Sequence, residues 1–231
     1  MPAEGGRTAC VQLYGVTSPR SALPEPRGID GAPVEYAAVA GLVLAASRHE
    51  VPPEPTRERL LAHHRVNLCL MEAGPVAPFR YAATFASLEA AQAALAAHAG
   101  RLAAVLPRLE GAVELSVKVL PAALPPPSAL PDDGLPATGT QYLRRRQREF
   151  SQEAQRADAL TRVAGRLNEA LVGVVIDSRT QLLGQRVLAL ACLCSRSKVA
   201  EFQRVLRAVR AAEAECRFLF SGPWAPSSFV A

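Results

Sequence analysis

Val187-Leu188-Ala189-Leu190-Ala191-Cys192-Leu193-Cys194 is apolar at every position. Strand side chains alternate between two faces, so a strand apolar on both must be covered on both. The elements around this run set its context. Leu183-Gly184-Gln185 reads as a turn, and Gly173 to Gln181 before it as another strand. Upstream, a helix starts near Thr140, in which Phe150, Ala154, Ala157, Leu160, Ala164, Leu167 and Leu171 step by four and three along one face. Before that helix, Val113, Leu115, Val117 and Val119 alternate with Glu114, Ser116 and Lys118, the pattern of a half-buried strand over Ala112 to Leu120. Downstream comes a helix from about Ser197, with Val199, Phe202, Leu206 and Val209 on one side, and a last strand from Cys216 to Phe220. Strand, helix, strand, strand, helix, strand is the order of a ferredoxin-like split βαβ unit, whose first and third strands are central and whose helices share one face. The two-sided apolarity of the third strand then predicts a cover for the helix-free face as well: the rest of the chain, its tail, or another protein.

The N-terminal part reads as a second, smaller α+β region. Cys10 to Val16 forms a strand, and Val34 to Ala46, broken by Gly41, a hairpin or two successive strands. A helix follows from an N-cap at Thr56 to about Glu72, stopped by Gly74-Pro75, with Leu61, His64, Leu68 and Met71 on one face. Val76 to Phe85 is a strand interrupted by Pro78. Ser87 caps a helix whose apolar face is Leu88, Ala91, Leu95, Leu102, Leu106 and Leu109. The expected organisation is α+β with two domains: 1–110, an N-terminal α+β domain; 111–221, a ferredoxin-like (βαββαβ) domain with a proline-rich connector at 121–139; and a tail at 222–231.

The tail, Gly222-Pro223-Trp224-Ala225-Pro226-Ser227-Ser228-Phe229, carries the single tryptophan. Two prolines stiffen it, and large aromatics bury much area at low rotamer cost. It is expected to be ordered and docked, on its own protein or on a partner.

Composition narrows the function. With 231 residues, 49% hydrophobic but only 5% aromatic, the core is built from Ala, Val and Leu. No window is long and apolar enough to span a bilayer, and Met1 to Cys10 does not resemble a signal peptide, so the expected location is cytoplasmic. Five cysteines, an odd number, suit a reducing compartment. Cys192 and Cys194 share a face, but no second Cys or His pair has metal-ligand spacing, so no metal and no cofactor is expected. The formal charge is +5, and its one dense run is Arg144-Arg145-Arg146-Gln147-Arg148. Without a nucleic-acid motif or aromatics for base stacking, this run is a solvated helix start rather than a nucleic-acid site. Its position opposes the helix macrodipole, which points to a carboxylate-rich partner. There is no Gly-rich phosphate loop, nucleophile elbow or His-Glu-x-x-His, and the protein is expected not to be an enzyme.

Several segments, in order along the chain, resemble the gas vesicle accessory family GvpL/GvpF. Leu13-Tyr14-Gly15-Val16 is similar to the family's opening strand. Val76 to Phe85 resembles its Leu-Pro-Val-Arg-Phe-Gly-Thr-Val-Phe strand at Pro78, Arg80 and the terminal Phe85, with Ala82 in place of glycine. Glu114 and Val117 match a Glu-x-x-Val-Lys strand, and Gly139-Thr140-Gln141-Tyr142-Leu143 a Gly-x-x-Tyr-Leu helix start. The tail matches Gly-Pro-Trp-Pro-Pro-Tyr-Ser-Phe at Gly222, Pro223, Trp224, Pro226, Ser228 and Phe229, with Ala225 and Ser227 replacing proline and tyrosine. Ala82 lacks glycine's backbone freedom, so that strand is expected to bend less.

The resemblance implies a non-enzymatic assembly factor associated with gas vesicles. It implies binding to the hydrophobic shell protein and to other accessory proteins, in nucleation or early growth or by keeping the shell protein from aggregating. The competing class is a small-ligand-binding or catalytic ferredoxin-like α+β protein. Candidate partner-binding or tail-docking residues are Gly222, Pro223, Trp224, Pro226, Phe229, Arg80, Phe85, Arg144, Arg145 and Arg146.

Overall fold

A computed structural model describes residues 9–121, 139–184 and 186–230. The proline-rich connector lies almost wholly outside the described residues. Two compact units emerge: the described residues of Met1–Glu114 and Pro223–Ala231 form one, and those of Leu115–Gly222 the other.

In the first unit, strands β1 (Cys10–Thr17), β2 (Glu35–Val39), β3 (Leu42–His49) and β4 (Val76–Pro78) form a sheet in the order β2-β3-β1-β4, with β5 (Thr84–Phe85) also paired to β1. All eight residues of β1 are buried. The β2–β3 turn uses Ala40 and Gly41, both at positive φ (46° and 82°), as a tight primed hairpin turn requires. Helix α1 (Arg57–Ala73) covers one face, packing Ala62, Val66 and Leu70 on Tyr14, Ala45 and Val76. Its N-cap is Thr56, whose hydroxyl accepts from the Arg59 amide, and Gly74 closes it at φ 151°. Two helices replace the single one expected after Ser87. They are α2 (Leu88–Ala96), lying against β2 and β5, and α3 (Ala99–Leu109), lying against β4. The chain turns at Ala97 and His98, yet Ala91, Leu95, Leu102, Leu106 and Leu109 are all buried as their spacing demands.

Three local expectations need correction here. The buried face of α1 is Ala62, His63, Val66, Asn67 and Leu70, one residue round from the Leu61, His64, Leu68 stripe. Polar His63 and Asn67 go inside with one hydrogen bond each, described below, and Leu61 is left exposed. Val76 to Phe85 is two short strands rather than one, with a bend at residues 79–83. Ala82 does not stiffen that bend: it takes the left-handed conformation itself, at φ 67°.

The second sheet runs β7-β8-β6-β9, from β6 (Ala112–Pro121), β7 (Asp177–Leu183), β8 (Val187–Ser195) and β9 (Cys216–Trp224). The first and third strands in chain order, β6 and β8, are therefore the inner ones. Helix α4 (Gly139–Ala170) lies against β7, β8 and helix α5 (Val199–Ala212), so the two helices share a face. On that face Leu188, Leu190, Cys192 and Cys194 are buried with Leu160, Leu167, Phe202 and Leu206. The other face of β8 is only half covered. Val187, Ala189 and Ala191 keep part of their surface, and only Leu193 is sealed. β7 begins at Asp177, not Gly173, because the amides of Val174 and Val175 still bond to the Leu171 carbonyl as the helix unwinds through Gly173 at φ 74°. β9 runs further than expected, as far as Trp224.

Candidate functional site

A cleft of about 290 Å³ opens in the first unit. It is lined by α1, the bend after β4, the start of β6 and the tail. Each side chain reaches it for a local reason. The α1 turn carrying His63, His64 and Asn67 passes the bend, and the His63 Nε2–H donates to the Phe79 carbonyl at 3.0 Å. That bond fixes the tautomer, leaving Nδ1 as a buried acceptor with no partner among the described residues. Asn67 Nδ2 donates to the His63 carbonyl at 3.3 Å, and its Oδ1 is likewise unpartnered. β1 must run close beneath this turn. A Cβ on Gly15 would lie 2.8 Å from Val76 Cγ2 and 3.2 Å from Asn67 Oδ1, so no larger residue fits there.

Aromatic rings frame the cleft. His63 tilts against Tyr14 at 5.2 Å and meets Tyr81 edge-on at 5.6 Å. The Tyr81 hydroxyl donates to the carbonyls of Pro53 and Glu54. At the rim His64 packs edge to face with Trp224, centroids 4.5 Å apart. Burial pushes His63 and His64 below the usual imidazole range, so both are neutral at pH 7.

The tail is held by Glu114. Its Oε2 accepts from the Ser228 amide at 2.9 Å and its Oε1 from the Ser228 hydroxyl at 2.7 Å. Ala225, Pro226 and Phe229 are buried alongside, while Trp224 remains 37% exposed. Glu114 thus departs from the strand alternation, which placed it on the outer face. It is 8% exposed, and the two tail donors compensate its desolvation.

Of the residues singled out from sequence, Arg80 and Trp224 line this one cleft. Pro226 and Phe229 anchor the tail beside it, and Phe85 pairs with Val11 in β5, half-buried. Gly222 lies within β9 at φ 123°, a conformation that a side chain would oppose. Arg144, Arg145 and Arg146 belong to α4 in the second unit. The side chains of Arg144 and Arg145 lie outside the described residues, and the Arg146 guanidinium stacks 5.4 Å over the Phe150 ring. Sequence reasoning missed His63, Asn67 and Tyr81. It had named Glu114 and Ser228 only as parts of separate motifs. Their one shared signal was that an acid in an apolar strand and a serine in the tail each fit a motif.

No three His, Cys, Asp or Glu side chains among the described residues gather as a metal site needs. Glu114 is committed to the tail, and His63 to the Phe79 carbonyl through Nε2 alone. The exposed Arg80 and the indole of Trp224, a residue 37% exposed, also line the cleft.

The family model for gas vesicle synthesis protein GvpL/GvpF matches residues 11–231. The chain belongs to the GvpL/GvpF family. Gas vesicle protein L of Streptomyces sp. (strain CB03234) is 32% identical over 251 residues, covering 94% of this chain and 91% of that one. The crystal structure of GvpF from Anabaena sp. PCC7120 shares 18% identity at a TM-score of 0.75, covering 96% of both chains. That of GvpF from Microcystis aeruginosa shares 18% at 0.72, covering 96% of this chain and 99% of the other. This GvpL/GvpF chain therefore has their mixed α/β fold and an accessory role in gas vesicle formation. No helix among its described residues is long and apolar enough to cross a membrane.

Proposed function

We propose that this GvpL/GvpF chain is a non-enzymatic assembly factor. It holds the hydrophobic gas vesicle shell protein, together with other accessory proteins, during nucleation or early growth and keeps the shell protein from aggregating. The unit from β6 to β9, with its inner first and third strands, is read as ferredoxin-like. One observation carries the proposal, the contrast between the two edges of its sheet. β7 guards its edge with Asp177, Ser178, Arg179, Thr180 and Gln181. β9 offers Cys216-Arg217-Phe218-Leu219-Phe220, in which Leu219 is 52% exposed. Phe220 turns inward to Phe202 at 6.0 Å, so its neighbour Leu219 faces away from α5. An edge strand whose one charge, Arg217, stands among Phe218, Leu219 and Phe220 is a template for another strand. A shell subunit rich in exposed β-surface is the partner that such an edge suits.

The test is co-expression with the shell subunit. The expected result is shell protein kept in the supernatant by the wild type and lost with Leu219→Lys, whose own melting temperature stays unchanged. Shell protein that precipitates regardless, or that Leu219→Lys holds equally well, overturns the proposal.

The cleft in the first unit is the one observation that favours a small-ligand or catalytic protein. Its volume falls at the bottom of the range for small-molecule sites, about 300–1,000 Å³, and its acid, Glu114, is engaged by the tail.

A further inference from the structure

Helix α4 changes character along its 32 residues. Its C-terminal half buries Leu160, Val163 and Leu167. With 3.6 residues per turn, Tyr142 lies five whole turns before Leu160 and therefore on the same side. Leu143, Arg146 and Phe150 lie within about 100° of that line by the same geometry. Among the described residues nothing covers the stripe: Leu143 is 66% and Phe150 62% exposed, and Tyr142 is exposed as well. The apolar seam that joins α4 to its own sheet thus continues past the domain core onto bare helix.

We propose that the first half of α4 is a docking surface for an acidic amphipathic helix of another protein. The seam sets the shape of the partner. Leu143, Phe150, Ala154 and Ala157 recur at spacings of seven, four and three, the spacing that a packed second helix matches with its own apolar stripe. Charge sets the partner's flanks. Residues 142–150 hold four arginines and one glutamate. They occupy the first turns of the helix, where the macrodipole favours anions, so carboxylates from outside relieve two repulsions at once. A second copy of the chain fits poorly. Parallel pairing sets arginine run against arginine run, and antiparallel pairing brings Glu149, Glu153 and Asp158 against it together with the further cation Arg156. The surface goes beyond the shell-holding edge, since it lies on another element and calls for a helix rather than a strand.

The experiment titrates the full chain into a labelled synthetic helix of about 18 residues, five turns, with leucines at spacings of three and four and glutamates on both flanks. Saturable binding is expected, falling with added salt. It should weaken about tenfold or more with Phe150→Glu and again with Arg146→Glu, the loss of a packed anchor or a paired charge. All these positions are exposed, and unchanged melting temperatures confirm intact folds. Three results overturn the proposal: no saturable binding, equal binding of a lysine-flanked counterpart, or a dimer of this chain that Leu143→Glu dissociates.

Discussion

Two aromatic-bearing segments of this molecule look alike in sequence and end differently. The tail around Trp224 and the first half of α4 around Phe150 both combine a large ring with residues that resist lying idle in water. In the structure the tail is tied down: Pro226 and Phe229 are buried and Ser228 is bonded twice to Glu114. Phe150 stays 62% exposed, with Arg146 stacked over it. The difference comes from a buried carboxylate 114 residues away in sequence from the serine it holds. An aromatic marks a segment that gains by burial, but a polar partner elsewhere decides whether its own chain buries it. Substitutions on the tail side should therefore cost stability, and those on α4 should not.

The largest effect is expected from Glu114→Ala. It removes two hydrogen bonds to a carboxylate and leaves the Ser228 amide without its acceptor, a loss of about 2–3 kcal/mol, partly offset because a buried charge is no longer desolvated. The measurement is chemical denaturation together with emission from Trp224, the sole tryptophan. A red-shifted emission with faster proteolysis of the C-terminus marks a released tail. Unchanged emission and stability would mean that apolar burial alone holds it.

Acid should act next, and on the same side. His63 and His64 line the cleft, and burial lowers both below about 6.5, the ordinary value. A histidine depressed in the native state binds its proton more readily when unfolded. Stability is therefore complete above the unfolded value and is lost as pH falls below it towards the native one. His49, also lowered by burial, adds in the same direction. Melting temperature should fall between pH 7.5 and 5, with His64→Gln reducing the slope. No histidine lies in residues 139–170, so helix α4 contributes nothing to this profile.

The legibility of the chain follows the same division. Periodicity found β6 and α5, and an unbroken apolar run found β8, because each buries an apolar set that the sequence displays. It misplaced the face of α1 because His63 and Asn67 are inside. A polar residue goes inside when its partner does, and Phe79 lies on a different element. Glu114 was misread for the same reason: alternation sees an acid, not the Ser228 amide. The seam of α4 was read correctly as a stripe, but a stripe carries no mark of where its cover stops. Arg80 and Trp224 came from motif likeness, and no spacing rule could place them on one cleft.

Ala82→Gly sharpens the comparison from within the cleft's own bend. An alanine at φ 67° carries a left-handed strain of about 1–2 kcal/mol. Glycine removes it but returns about 0.4–1 kcal/mol of unfolded-chain entropy. The net expectation is a gain of about 0.5 kcal/mol or more, read as a small rise in melting temperature. A loss would mean that the Ala82 methyl makes contacts worth more than its strain.

Phe150→Ser is the smallest expected effect and the most direct probe of the contrast. Phenylalanine and serine have similar helix propensities, so the substitution changes little beyond the ring itself. The ring is largely in water, and its contact with the Arg146 guanidinium is an exposed cation–π pair of about 0.5–1 kcal/mol. Removing an exposed apolar side chain also relieves unfavourable hydration in the native state, which offsets part of that loss. The net change in unfolding free energy should stay under about 0.5 kcal/mol, the usual range for surface positions. A loss of about 3 kcal/mol or more, the cost of emptying a packed site, would show that this half of α4 is already covered in solution by its own chain, and the contrast between the two segments would disappear.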